Sequence, residues 1–114
     1  MGFMDAFKGA NNSWATVTCE EGVGYLGPEK MVDNRNHTLM ISGTGIETAK
    51  FDKSGVERIE VLFATSEWIK YKILLKNGKI YIATFLVLET GKRGKQISMG
   101  LQNFEWWLSG VIYC

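Results

Sequence analysis

The sequence predicts a single mainly-β domain, an antiparallel barrel or sandwich closed by one C-terminal helix. Its 114 residues are the size of one domain. The chain contains thirteen glycines but only one proline. Short runs of β-branched and aromatic residues lie between the glycines. This pattern is typical of strands joined by tight turns. Near the C-terminus the apolar residues change to helical spacing, which predicts the closing helix.

The strands in the first half of the chain are predicted from alternating apolar residues between turn signals. They are residues 14–19, 38–42, 46–50 and 56–64. In the strand at 56–64, the face that we expect to be buried carries Ile59, Val61 and Phe63. Residues 20–36 fit either a short strand near Tyr25 or one helical turn.

The clearest element is a hairpin formed by residues 68–76 and 79–88. Asn77-Gly78 joins them, and this dipeptide is the strongest short hairpin signal. A two-residue turn would pair Leu75 with Ile80, so that one face carries the apolar residues Ile69, Tyr71, Ile73, Leu75, Ile80, Ile82 and Leu86. We expect that face to be core. The opposite face, called here the outer hairpin face, would carry Trp68, Lys70, Lys72, Leu74, Lys76, Lys79, Tyr81, Ala83, Phe85 and Val87.

One more strand and the helix follow the hairpin. Residues 95–101 alternate, with Ile97, Met99 and Leu101 on one face, and the basic stretch 91–95 precedes them as a turn, which makes about seven strands in all. The helix is predicted at about 103–112, with Asn103 as N-cap and an apolar stripe of Phe104, Trp107, Leu108 and Val111. Residues 1–12 form a separate short segment, either one helical turn or frayed chain, before the domain at 13–114.

The order of these elements resembles the pleckstrin-homology-like (PH-like) superfold. Residues 37–113 are similar to its bacterial members, in particular ISGTGIETAKFDKSGVERIEVLF, WIKYKILLKNGKIYIATF and NFEWWLSGVIY. The resemblance implies that two sheets close into a barrel and that the helix plugs one end with Trp107. Phosphoinositide-binding members carry a basic motif between their first two strands. Residues 20–36 contain four acidic and two basic residues instead, so that lipid motif does not carry over.

The residue types that metal and nucleophilic sites need are scarce. His37 is the single histidine, and the two cysteines, Cys19 and Cys114, match no zinc pattern and no disulfide framework. Nothing in the sequence positions a partner for a Cys19–His37 or an Asp33–His37 pair. We therefore expect no enzyme activity, no metal and no cofactor. Two free thiols favour the cytoplasm, with membrane-peripheral attachment as the alternative location.

Net charge is +1, but its distribution along the chain is uneven, with −3 over residues 1–49 and +5 over residues 50–95. The basic segment could bind single-stranded nucleic acid, because the outer hairpin face interleaves aromatic residues with lysines. It could also hold an anionic lipid headgroup through Lys92, Arg93 and Lys95. The simpler alternative is a solvated strand face, on which lysines prevent pairing between sheet edges.

The outer hairpin face also combines several large apolar residues, which favours a partner surface. We therefore predict a non-catalytic interaction module that self-associates or docks a protein partner, with anionic lipid or single-stranded nucleic acid as the alternative. The candidate binding residues are Trp68, Lys70, Lys72, Leu74, Tyr81, Phe85, Lys92, Arg93 and Lys95. Alternatively, the N-terminal segment covers this face through Phe3 and Phe7, or the terminal helix covers part of it.

Overall fold

The computed structural model describes residues 13–30, 38–88 and 90–108. Seven antiparallel strands form one sheet: β1 (Ala15–Cys19), β2 (Gly22–Lys30), β3 (Thr38–Gly43), β4 (Ile46–Phe51), β5 (Val56–Ala64), β6 (Ile69–Leu75) and β7 (Ile80–Phe85). The strand order is β4-β3-β2-β1-β7-β6-β5, and the sheet curls into a half-barrel. A short 3-10 turn at Lys53–Gly55 joins β4 to β5, and one helix, α1 (Gly91–Leu108), follows β7. The predicted fold class is thereby confirmed.

The core lies between the concave side of the sheet and α1. Phe104 and Trp107 of α1 are fully buried. Phe104 meets the Tyr71 ring edge-on at 5.0 Å, and Trp107 meets the Phe51 ring in the same way at 6.1 Å. Such aromatic pairs add to the apolar burial that holds a helix on a sheet. Trp107 is thus a core residue of the closing helix, as predicted.

The helix is longer than the sequence pattern indicates, and the predicted strand at 95–101 is wrong. Residues 91–108 form one continuous helix, so 91–95 is its first turn and Asn103 lies in its interior instead of capping it. Ile97 is buried and Leu101 packs against the core. At spacings of four and seven residues from Ile97, Leu101 and Phe104 share its helical face. The same apolar residues therefore satisfy a helical period as well as an alternating one.

The structure has seven strands, as predicted, but β2 takes the place of the predicted strand at 95–101. The ambiguous stretch contains β2, which pairs with both β1 and β3. Of the two alternatives for residues 20–36, the structure therefore has the strand near Tyr25, and this strand is longer than predicted. Residues 1–12 and 109–112 of the predicted elements lie outside the described part of the chain, as do Asp33 and His37.

The hairpin is present, but its register differs by one residue from the prediction. Ile73 pairs with Tyr81, and the Leu75 N–H donates to the Lys79 carbonyl at 3.0 Å, which leaves three residues in the loop. Gly78 has a φ of 90°, and Gly at a left-handed position is the usual third residue of such a loop. Because side chains alternate along a strand, a one-residue shift exchanges the two faces of β7.

Candidate interaction surface

The register shift divides the predicted outer hairpin face. Trp68, Lys70, Lys72 and Leu74 are half-buried on the convex side, as predicted for the first strand of the hairpin. Tyr81 and Phe85 were expected beside them, but they are 1% and 0% exposed in the core. The convex side of β7 carries Ile80 and Ile82 instead, and Ile80 is 46% exposed. The predicted platform of three stacking aromatics is therefore wrong, because only Trp68 reaches the surface.

Large exposed apolar side chains gather instead near the end of β5. We call this group the β5 cluster, and it consists of Val61, Leu62, Phe63, Trp68, Leu86 and Leu88. Val61, Leu62 and Phe63 are consecutive and are each close to half exposed, and Leu88 is 65% exposed. Phe63 neighbours Trp68, which lines one cleft with Leu86 and Leu88, and exposed apolar surface of this kind marks interaction sites in soluble proteins.

A β-bulge explains why Phe63 faces outward. The prediction placed Ile59, Val61 and Phe63 on one buried face, but only Ile59 is fully buried. Val61 pairs with Tyr71 and Phe63 pairs with the adjacent Lys70, so Leu62 is the extra residue of a bulge. A bulge reverses the alternation beyond it. Phe63 therefore lies on the convex side, with its ring centroid 6.3 Å from that of Trp68.

The turn between β5 and β6 holds Trp68 in this cluster. The Thr65 hydroxyl accepts hydrogen bonds from the backbone N–H groups of Glu67 and Trp68, and the Thr65 N–H donates to the Trp68 carbonyl at 2.9 Å. The Leu88 N–H donates to the Glu67 carbonyl at 3.1 Å, which ties the chain after β7 to the same turn. A threonine-centred turn thus brings the two halves of the cluster together.

A cleft of about 260 Å³ lies between Trp68, Leu86 and Leu88. The Trp68 Nε1–H is buried beside it and has no hydrogen-bond partner among the described residues. An unpaired buried donor is unfavourable by about 1–3 kcal/mol. Lys70 Nζ lies 5.9 Å from the centre of the Trp68 ring, within the range of a cation–π contact.

Much of the predicted basic surface is paired with carboxylates. Lys72 Nζ lies 4.0 Å from Glu60 Oε2. Lys79 Nζ lies 3.6 Å from both Glu21 Oε1 and Glu47 Oε2. Interaction with the ionised Tyr81 phenol, and then with these two glutamates, raises the pKa of Lys79 above its usual value. These lysines are partly neutralised, which weakens the case for a polyanion site on the sheet.

The three basic residues at 92–95 lie on the first turns of α1 rather than in a loop. Arg93 makes structural hydrogen bonds within the domain, since its guanidinium donates to the Ser13 carbonyl at 2.8 Å and to the Ser13 hydroxyl at 3.1 Å. Lys92 and Lys95 are exposed. The structure therefore leaves two of the three predicted headgroup ligands on the surface.

A second cleft, of about 660 Å³, lies at the opposite end of the sheet between the β1–β2 and β6–β7 turns. Tyr81 lines it, and burial raises the pKa of the Tyr81 hydroxyl above its ordinary value. That hydroxyl has no hydrogen-bond partner among the described residues. Its atom is inaccessible to solvent, so a ligand in this cleft would not reach it.

Among residues 13–30, 38–88 and 90–108, no group of three or more histidine, cysteine or acidic residues could hold a metal ion. In the same part of the chain, no helix is both long and apolar enough to cross a membrane. No family model, curated protein or solved structure matches this sequence.

The exposure of Val61, Leu62, Phe63 and Leu86 was not predicted from the sequence. Val61, Leu62 and Phe63 were assigned to a strand with one buried face, and Leu86 was assigned to the core. A signal was nevertheless present, because three consecutive large apolar residues break the alternation of a half-buried strand. Such a break is what a bulge near the strand end produces.

Proposed function

We propose that this protein is a PH-like, non-catalytic interaction module that binds an extended, apolar polypeptide segment of a partner along β5. The observation that carries the proposal is the run of exposed apolar residues at Val61–Phe63 on an edge strand. Natural sheets usually protect such edges with charge, proline, a β-bulge or a covering element, and residues 61–64 carry the bulge at Leu62 but no charge and no proline. An edge that stays apolar is a template for strand addition.

The backbone of β5 offers the hydrogen bonds that strand addition needs. Among the described strands, β5 pairs with β6 and with no other strand. Its other edge therefore presents alternate N–H and C=O groups to a partner. The first half of β5 carries Glu57, Arg58 and Glu60, whereas the second half is apolar. We expect the partner to pair along the second half.

The side chains next to this edge supply a place for one apolar anchor. The 260 Å³ cleft beside Trp68 is below the size of a typical ligand pocket, about 300–1,000 Å³, so it suits one side chain of a peptide. Aromatic residues in such positions dominate the energy of many interfaces.

Binding of single-stranded nucleic acid or of an anionic headgroup has less support. Two of the three aromatic residues expected to stack bases, Tyr81 and Phe85, are buried. Arg93 is bound to Ser13, and Lys72 and Lys79 face carboxylates. These pairings leave fewer cations for the multiple phosphate contacts that give such binding its affinity.

Selection from a library of displayed random peptides tests the proposal with the folded full chain as target. The selected peptides should alternate apolar residues and lack proline. Phe63→Ser should weaken their binding by about tenfold or more, whereas Ile80→Ser, which is equally exposed at the other end of the sheet, should leave it unchanged.

Backbone pairing is tested separately from apolar contact. Peptides with N-methyl groups on alternate residues keep their side chains but lose every second donor, so one of the two methylation patterns should abolish binding. Bound peptide should also slow hydrogen exchange of β5 amides. Peptides that bind Phe63→Ser and wild type equally, or that tolerate both methylation patterns, would refute strand addition at β5.

A further inference from the structure

We infer that the partner segment carries a lysine or arginine beside its apolar anchor, and that Glu67 binds this cation and thereby determines specificity. The inference rests on the proposed function, because it names the chemistry of the same partner. Three observations lead to it: the position of Glu67 at the cleft, the pairing of the neighbouring charges, and the apolar walls next to the carboxylate.

Glu67 is a charged residue at the mouth of the 260 Å³ cleft. The other described residues that line this cleft carry no charge, and they are Trp68, Leu86, Leu88 and Thr90. The Glu67 N–H donates to the Thr65 hydroxyl at 3.1 Å, and the Glu67 carbonyl accepts from the Leu88 N–H at 3.1 Å. These bonds hold the backbone of Glu67 at the cleft and leave its carboxylate available to a ligand.

The charges next to the apolar half of β5 are already paired with one another. Glu60 Oε1 lies 3.1 Å from Arg58 Nη2, and Glu60 Oε2 lies 4.0 Å from Lys72 Nζ. The Glu67 side chain is exposed. Within residues 13–30, 38–88 and 90–108, its carboxylate makes no ion pair and no hydrogen bond. An unpaired negative charge at the edge of the cleft is complementary to a cation on the partner.

The walls of the cleft favour a cation on a long side chain. Lysine and arginine lay their methylene stems along apolar surface while the charged tip stays in water, and Leu86 and Leu88 provide such surface beside Glu67. Lys70 does not take this place, since its Nζ lies over the Trp68 ring at 5.9 Å and forms no ion pair with Glu67. In an extended peptide, residues two apart share a face and lie about 7 Å from each other. One apolar side chain can therefore fill the cleft while a basic residue two positions away meets the carboxylate.

The peptides selected on the full chain test this inference. We expect them to carry lysine or arginine two positions from an apolar residue. One selected peptide is then made in two forms, with lysine or with glutamine at the basic position. The wild type should bind the lysine form about fivefold more tightly, which is the upper range for an exposed ion pair. Glu67→Gln should bind both forms equally, and Glu67→Lys should prefer the glutamine form.

Glu57→Gln is the matched control, because Glu57 is also exposed on β5 and its replacement changes the net charge by the same amount. This variant should keep the fivefold preference for the lysine form. Raising the salt concentration from about 0.1 M to about 1 M should remove the preference in the wild type, because salt screens exposed ion pairs. A preference that persists in Glu67→Gln, or that Glu57→Gln reduces equally, would overturn the inference.

Failure of this inference is distinguishable from failure of the proposed function. Phe63-dependent peptides that lack basic residues, or that bind Glu67→Gln as tightly as the wild type, would refute the role of Glu67 and leave strand addition standing. Selections that yield no Phe63-dependent peptide would refute both. Thermal melts of Glu67→Gln should match those of the wild type, because the hydrogen bonds to Thr65 and Leu88 use only its backbone. A change in peptide affinity then reports on binding and not on folding.

Discussion

Replacing Phe85 by alanine should destabilise the protein far more than replacing its neighbour Leu86. Phe85 is fully buried, and its ring lies 5.9 Å from Tyr71 and 5.3 Å from Phe104. Leu86 is 36% exposed. The comparison tests the hairpin register directly, because the alternative two-residue turn would exchange the environments of these two side chains.

The expected magnitudes follow from burial. Truncating a buried phenylalanine to alanine costs about 3–5 kcal/mol, from lost burial and the cavity left behind. Leu86→Ala removes fewer buried contacts, and we expect a cost of about 1 kcal/mol. For a domain of this size one kcal/mol lowers the melting temperature by about 4 °C. Phe85→Ala should therefore melt about 15 °C below the wild type, and Leu86→Ala about 4 °C below.

Urea and thermal unfolding monitored by circular dichroism measure both effects. Phe85→Leu provides a milder variant in case Phe85→Ala does not fold, and we expect it to cost about 1–2 kcal/mol. A Leu86 variant that is as destabilised as the corresponding Phe85 variant would contradict the register. A Leu86→Ala variant that is more destabilised than Phe85→Ala would support the outer hairpin face with exposed Tyr81 and Phe85.

Three further predictions concern α1, the hairpin loop and Tyr81. Gly100→Ala should lower the free energy of unfolding by about 1–3 kcal/mol despite the better helix propensity of alanine, because the new Cβ would lie 2.3 Å from Trp14 Cγ. Urea unfolding measures this loss, and it should be smaller when Gly100→Ala is combined with Trp14→Ala. Gly78→Ala should cost about 1–2 kcal/mol from its φ of 90°, and Gly78→Asn less, as thermal melts will show. Because the pKa of Tyr81 is raised, the folded state keeps its proton above about pH 10 while the unfolded state loses it. Stability should therefore fall as pH rises above 10 in the wild type, and Tyr81→Phe should reduce that fall in urea unfolding.

The sequence predicted the elements well where local chemistry decides them. Alternation and turn residues located β5 at its observed bounds, and Asn77-Gly78 located the hairpin. The stripe of Phe104, Trp107 and Leu108 identified the buried side of the closing helix. These signals depend on residues close in sequence, so no tertiary contact is needed to interpret them.

The candidate site was predicted only in part, because its composition depends on which of two apolar faces is buried. Ile80 and Ile82 form one such face of β7, and Tyr81 and Phe85 form the other. Trp68 was correctly placed on the surface, whereas Leu86 and Leu88 were not singled out as site residues. The bulge at Leu62 likewise transferred Phe63 to the convex side.

Local sequence patterns were sufficient to predict the mainly-β class, the hairpin and the apolar stripe of the closing helix. The hairpin register, the start of α1 at Gly91 and the exposure of the β5 cluster depend on contacts between elements distant in sequence. Both faces of β7 are apolar, so alternation alone does not select between them. Packing against α1 selects instead: the concave side holds the rings of Tyr71, Phe85 and Phe104 in mutual contact, and the remaining apolar side chains are left at the surface.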